Sequence, residues 1–492
     1  MRNPIQIIVL AGAFLISGWF SVADAQEIAI SDPQKITTEL TGYSIMGKNK
    51  NGDVLVYKKY RFKDEIDIYD KNMSFKRRKE ISVREDSETL EFYKSGDYIF
   101  QFFTNRDNKM LYLFVQQYTT DLDKKGDPVL LDSTSQRIGD NYSDFKVIQA
   151  RTAPYYLIYK NELSNGRIDK LITLVMDENM RIIQQSLVNL PDINFTPVQI
   201  KAFISEDGTP VFLYRNDDFR CKNEKTAVQY LYVLPKGGTG AVTTEMGGSD
   251  YCFEEMQFGY DQMHNQIISV HFLKEDQKDH MIGYQFSIID PASGAITLSH
   301  DYIFPPETQD DIIGINKERS STNIPVYQIG SIIPRADGGA LVVAEYYDKT
   351  VENFEFTNYD PYYGYRTSVR QVEFYEYDDI LLFSIQPDGT PSWNTVIRKK
   401  QVSREDRGVN SSYALVNIKD KCMFIFNEDI EQNANVLEYV MTATGELDRN
   451  SLFNANQQEV QIRPSSAQQI SYNEIVIPSI YKKSLSFVKI KF

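Results

Sequence analysis

Residues 380–394 read ILLFSIQPDGTPSWN. A mostly apolar run enters a Pro-Asp-Gly turn and leaves as a weaker strand that carries Trp393. Asp bonds back onto turn backbone and Gly supplies positive φ, so the stretch reads as a tight hairpin. The arrangement returns as IYDKNMSFKR at Asp70, TDLDKKGDPV at Asp123, VMDENMRIIQ at Asp177, VLPKGGTGAV at Pro235, IIDPASGAIT at Asp290 and MTATGELDRN at Ala443. Successive turns lie 53, 54, 58, 55, 98 and 55 residues apart. Five of the six intervals therefore share one period, and the sixth carries an insertion.

Between the turns, short apolar or alternating runs such as DVLVYKKY, MLYLFVQQY, QIISVHFL and CMFIFNE recur, while capped windows of helical periodicity are nearly absent. The chain holds 32 Tyr and 28 Phe, residues that favour strands. A period near 55 with about four strands per unit predicts an all-β chain folded as a β-propeller. A blade cannot bury both faces alone, and stacking around an axis supplies the missing partner. Once the insertion is set aside, nearly eight periods fit, so eight blades are expected, with seven as the alternative. The chain ends before an eighth turn. Residues 27–40 are expected to lend the last blade a strand, closing the ring with strands from both termini. Two stacked β-sandwiches are the rival, but no Pro-, Gly- or Ser-rich linker marks a midpoint.

The pair ADGGALVVAEYY (336–347) and DDILLFSIQPDGTPSWNTVI (378–397) resembles a repeat of exported β-propeller proteins from Bacteroidota-type bacteria. Asp337, Gly338 and Gly339 match its first turn, and Asp388, Gly389 and Trp393 its second; Phe75 follows its own turn similarly. The resemblance covers about 75 residues. It implies a propeller scaffold, and that class has no single activity.

Residues 1–25 read as a signal peptide: Arg2, an apolar run over 5–20, then Ala23-Asp24-Ala25 as the cleavage site. Residues 26–492 are then expected to form one domain, periplasmic or secreted, without a membrane span. The net charge of −15 argues against nucleic acid as a partner. Of three cysteines, Cys221 and Cys252 sit in polar, loop-like stretches and are the candidate disulfide, while Cys422 reads as a buried thiol.

No nucleophile elbow, zinc-protease helix, phosphate loop or dinucleotide fingerprint occurs, and nothing implies a metal or another cofactor. His271 and His280 could face one side of a hairpin with Glu275 or Asp279, but read more simply as exposed hairpin-end histidines. DLDKKGD (121–127) has the oxygen spacing of part of a calcium loop, lacks the distal Glu and coincides with the repeating turn.

The long interval holds residues 346–377, expected to be a connection between the second and third strands of a blade, lengthened by about 40 residues into a hairpin. Tyr362, Tyr363, Tyr365, Arg366, Arg370, Tyr375 and Tyr377 are its candidate ligand-binding residues. Tyrosine combines a large apolar body with a hydroxyl, and Arg suits a carboxylate or sugar acid. The reading is a non-catalytic binding or scaffold propeller of the cell envelope, with an envelope protein or polysaccharide as partner. The alternative is a propeller hydrolase or lyase acting on glycans through acidic residues in the central channel.

Overall fold

The computed structural model describes residues 26–492 apart from 82–86, 136–144, 152, 165–166, 191–196, 217–228, 239, 247–250, 275–279, 315–322, 419–420 and 433. The expected signal peptide lies outside the described residues. Eight antiparallel sheets of four main strands follow one another: blade 1 (40–81), blade 2 (87–135), blade 3 (146–189), blade 4 (197–246), blade 5 (252–303), blade 6 (327–404), blade 7 (414–454) and blade 8. Blade 8 takes Gln468–Ser471, Glu474–Tyr481 and Ser484–Lys491 from the C-terminal end. Its fourth strand, Glu27–Ile30, comes from the other end and pairs with Val488–Lys491. The short strand Gln34–Lys35 extends the same edge. The first strand of each blade is innermost, and that of blade 1 touches those of blades 2 and 8. The fold is an eight-bladed β-propeller closed by strands from both ends.

Strand alternation explains why the runs are almost wholly apolar. In Val54–Tyr60 of blade 1, Val54 and Val56 pack toward blade 8, while Leu55 and Tyr57 pack toward blade 2. A strand covered on both faces has no solvent side to keep polar. Eight apolar clusters result, each shared by two adjacent blades, and one of them joins blade 8 to blade 1. An open array of eight blades would have only seven such interfaces. Each fully buried Val, Leu, Ile or Phe contributes roughly 1.5–3 kcal/mol before entropy is counted.

The seven turns found in sequence join the third and fourth strands of blades 1–7. Blade 8 has none, because its fourth strand arrives from the other end of the chain. In blade 1, Asp70 N–H donates to Ser74 O and Met73 N–H to Asp70 O, with Met73 at φ 63°. Asp70 Oδ1 accepts from Asn72 and Ser74 N–H. Asp177 and Met180 repeat this in blade 3, and Gln386 and Gly389 repeat the backbone pattern in blade 6. This is a type I turn ending in a left-handed bulge residue. Within the 121–127 stretch, the same turn, closed between Thr119 and Asp123, carries Asp121 and Asp123. Each meets a lysine of blade 1, Lys50 at 3.0 Å and Lys79 at 3.2 Å.

The excess in the long interval has two sources, where the sequence suggested one. Part lies between the second and third strands of blade 6. Part lies in the connection from blade 5, which contains helix α1 (Pro306–Ile313). The helix escaped notice because eight residues give too few turns for a clear period. Among the described residues, no helix is long and apolar enough to cross a membrane.

Candidate functional site

The second and third strands of blade 6, Ala340–Asp360 and Gly364–Ile385, pair from Ala340↔Ile385 to Asp360↔Gly364, with one register shift between Glu345 and Tyr347. At their base they are flanked by the first and fourth strands of the blade. The last rung to the first strand is Tyr327↔Tyr346, and the last to the fourth is Phe374↔Arg404. From Glu352↔Val372 outward the two strands stand alone, with both backbone edges unpaired by other strands among the described residues. Nine residues per strand make this arm about 30 Å long.

Period-2 alternation distributes its side chains. One face carries Val351, Val369, Thr357, Thr367 and the pair Tyr359–Tyr365, whose rings sit 5.3 Å apart. The other carries Phe354, Phe356, Arg366 and Arg370. Val351, Phe356, Tyr359 and Val369 are exposed, and the tip residues Tyr362 and Tyr363 are 91% and 70% exposed. The Arg366 guanidinium lies 4.1 Å from the Tyr363 ring centroid, a cation–π contact at the tip. Arg370 reaches down to pair with Glu405.

The seven residues singled out in sequence therefore occupy three places. Tyr362, Tyr363, Tyr365 and Arg366 cluster at the tip. Arg370 is midway, on the face opposite Tyr365. Tyr375 is buried at the root, and Tyr377 is half-buried there over Gly408, where a Cβ would fall 2.5 Å from its ring. Burial pushes the Tyr377 phenol up to about 12. Twelve residues of strand, about 40 Å, separate Tyr377 from Tyr365, so root and tip cannot share one small ligand.

Sequence reasoning missed what fixes the root. Lys399 Nζ lies 2.8 Å from Glu345 Oε1, with side chains 2% and 9% exposed. Lys399 also donates to Tyr377 O and Gln401 Oε1, both at 2.9 Å, and Ser412 Oγ donates to Glu345 Oε2 at 2.5 Å. Burial pushes the Glu345 carboxyl up and the Lys399 ammonium down, and each opposes the other's shift by its charge. On the outer strand, Arg398 bonds Asp379 Oδ2 at 2.7 Å and the carbonyls of Asp311 and Ile312 at 2.6 and 2.8 Å. A guanidinium at those last carbonyls complements the helix dipole of α1. The available signal was a charge, Glu345, inside the apolar run ALVVAEYY.

His271 is not an exposed hairpin-end residue. It is fully buried in the second strand of blade 5, its ring 4.5 Å from that of Phe253, and burial lowers its pKa to about 3. Alternation along a strand covered on both faces leaves no exposed side for it. Glu275 and Asp279 lie outside the described residues. No group of three or more His, Cys, Asp and Glu is placed to hold a metal ion among the described residues. Cys252 is disulfide-bonded and Cys422 is a buried free thiol; Cys221 lies outside the described residues.

No family model and no curated protein matches the chain. Solved structures do. The polysaccharide lyase Uly1 is similar over 94% of this chain and 99% of its own, with a TM-score of 0.41 at 9% identity. The Nup133 β-propeller domain of Vanderwaltozyma polyspora is similar over 82% of this chain and 99% of its own, with a TM-score of 0.39 at 9% identity. Prolyl oligopeptidase B of Galerina marginata is similar over 92% of this chain, with a TM-score of 0.41 at 8% identity; this chain spans 56% of that protein's length. At these scores and identities, none of the activities named for those proteins carries over to this chain.

Proposed function

We propose that this chain is an exported, non-catalytic binding propeller of the cell envelope. Its arm takes an extended segment of another envelope protein as an added strand. The observation that carries this reading is the ribbon beyond Phe374↔Arg404, which exposes backbone edges and apolar side chains together. A lone two-stranded ribbon is marginal in water, and an open apolar edge is a template for another strand. Strand addition satisfies its N–H and C=O groups, and alternate side chains give selectivity. A polysaccharide offers no such backbone, which favours protein over glycan.

The test is a crosslinked pull-down from the native envelope with the intact protein and with a form lacking residues 351–370. Recovery of one envelope protein by the intact chain alone, with equal melting temperatures, supports the reading. Recovery of the same material by both forms, or of nothing by either, overturns it and makes a glycan-cleavage screen the next measurement.

A further inference from the structure

Trp393 belongs to the sequence signature that marks blade 6, and the arm makes no use of it. Its indole Nε1 donates to Ala443 O at 3.3 Å, in the last turn of blade 7. Gly445 of that turn, at φ +85°, lies against the ring, where a Cβ would fall 2.7 Å away. The indole thus staples blade 6 to blade 7. It also borders a cleft of about 320 Å³ between the two blades. The cleft opens where the first-to-second and third-to-fourth strand turns lie, at the end of the blades opposite the arm.

Its floor is apolar, with Ile333 and Leu341 from blade 6 and Cys422 and Met441 from blade 7. Burial pushes the Cys422 thiol up to about 11, so the sulfur stays protonated and acts as a small apolar group. Among the described residues lining the cleft, the charged side chains are Arg335, which is ion-paired with Asp337, and Lys421. Arg335 is oriented by Asp337 Oδ2 at 2.5 Å and by Ser384 Oγ, contacts that occupy two of its five N–H donors. Lys421 is exposed and makes no ion pair among the described residues.

We propose that this cleft binds a small carboxylate with an apolar body, of the arylacetate class. The ring packs on the floor against the indole, and the carboxylate lies between Arg335 and Lys421. The volume is at the lower end of the range for small-molecule sites. With Arg335 held in an ion pair by Asp337, Lys421 leaves one net positive charge at the cleft on a chain of net charge −15, and this selects for an anion. The neutral polar side chains at the cleft are few. Ser384 is already bonded to Arg335 and Thr442 to Thr444, which leaves Asn417. The hydroxyls of a pyranose would lose water without finding partners, so a sugar acid fits worse than an aryl acid. The cleft is independent of the arm, and the fate of one reading does not touch the other.

Of the two tryptophans, Trp19 lies in the expected signal peptide, so the chain 26–492 has Trp393 as its only indole and fluorescence reports on the cleft. That chain is titrated with phenylacetate, 2-phenylethanol and glucuronate. The expected result is a saturable change with phenylacetate, binding about tenfold weaker for the neutral alcohol, and no saturation with glucuronate. Lys421→Gln, a substitution on an exposed side chain, should weaken phenylacetate binding several-fold with the melting temperature unchanged. Three outcomes overturn the proposal: quenching that rises linearly with every probe, equal affinity for acid and alcohol, or tighter binding of glucuronate.

Discussion

At the residue scale, two buried ionisable sites, the Lys399–Glu345 pair and His271, have opposite consequences. Lys399 and Glu345 compensate each other out of water, so removing one leaves the other's charge or proton stranded. Lys399→Met should lower unfolding stability by about 3–5 kcal/mol, while Lys399→Met with Glu345→Leu should recover most of it. Urea midpoints of the two variants check this. A double variant no better than the single would mean that packing, rather than the charge pair, holds the root. His271 has no such partner: neither ring nitrogen has a hydrogen-bonding partner among the described residues. Its pKa falls from 6.5 to about 3 on folding. Above pH 6.5 both states are neutral there and pH has no leverage. Below it the unfolded chain takes up a proton that the folded chain refuses. Stability is then lost as pH falls toward about 3, by roughly 1.4 kcal/mol per unit. His271→Leu should be at least as stable at pH 7.5 and should flatten the decline between pH 6.5 and 5. Parallel slopes for the two proteins would remove His271 as the cause.

At the element scale, the turn is the unit that made the fold legible. An Asp whose carboxylate takes two turn N–H groups, followed by a residue at positive φ, is a local device, and local devices survive in sequence. Trp393 and Gly445 add a dependence between turns of successive blades. Gly445→Ala both forces a side chain into φ +85° and drives a methyl toward the indole, and should cost about 1–3 kcal/mol. A melting temperature equal to the parent's would show that the turn relaxes without loss. The arm was legible too, as a run of alternating aromatics, but what holds its root was not. Glu345 and Lys399 are 54 positions apart in sequence, and only the pairing of three strands brings them together. His271 was misread because alternation around it could not reveal that both faces of its strand are covered. On the arm itself, Phe356→Lys with Val369→Lys should leave stability within about 0.5 kcal/mol, since both sites are exposed, while reducing self-association at high concentration. Light scattering across a concentration series checks it. Unchanged association would mean that these two residues do not drive self-association through the arm.

At the scale of the whole molecule, the ring is held where its two ends meet. Glu27–Ile30 pairs with the last strand of the chain, and Ser31 bonds Phe487 twice, through N–H to O at 3.0 Å and Oγ from N–H at 2.9 Å. Gln34 then reaches blade 1. Its Nε2 donates to Tyr69 OH at 3.0 Å, and its Oε1 accepts from Lys58 Nζ at 2.5 Å, beside the buried Lys58–Asp67 pair at 2.7 Å. One segment of eleven residues, 26–36, therefore completes blade 8 and seals the interface between blades 8 and 1. Its loss would remove about half a dozen backbone hydrogen bonds, each worth roughly 0.5–1.5 kcal/mol net, and open Ser484–Lys491 as an edge strand. A chain beginning at residue 37 should melt at least several degrees lower than one beginning at residue 26. It should also associate through the exposed edge, giving a larger mass in solution that falls on adding a peptide of residues 26–36. Equal melting temperatures and masses for the two chains would show that the seven inner interfaces hold the ring without the closing strand. A lower melting temperature that the peptide restores would place the loss in that strand alone.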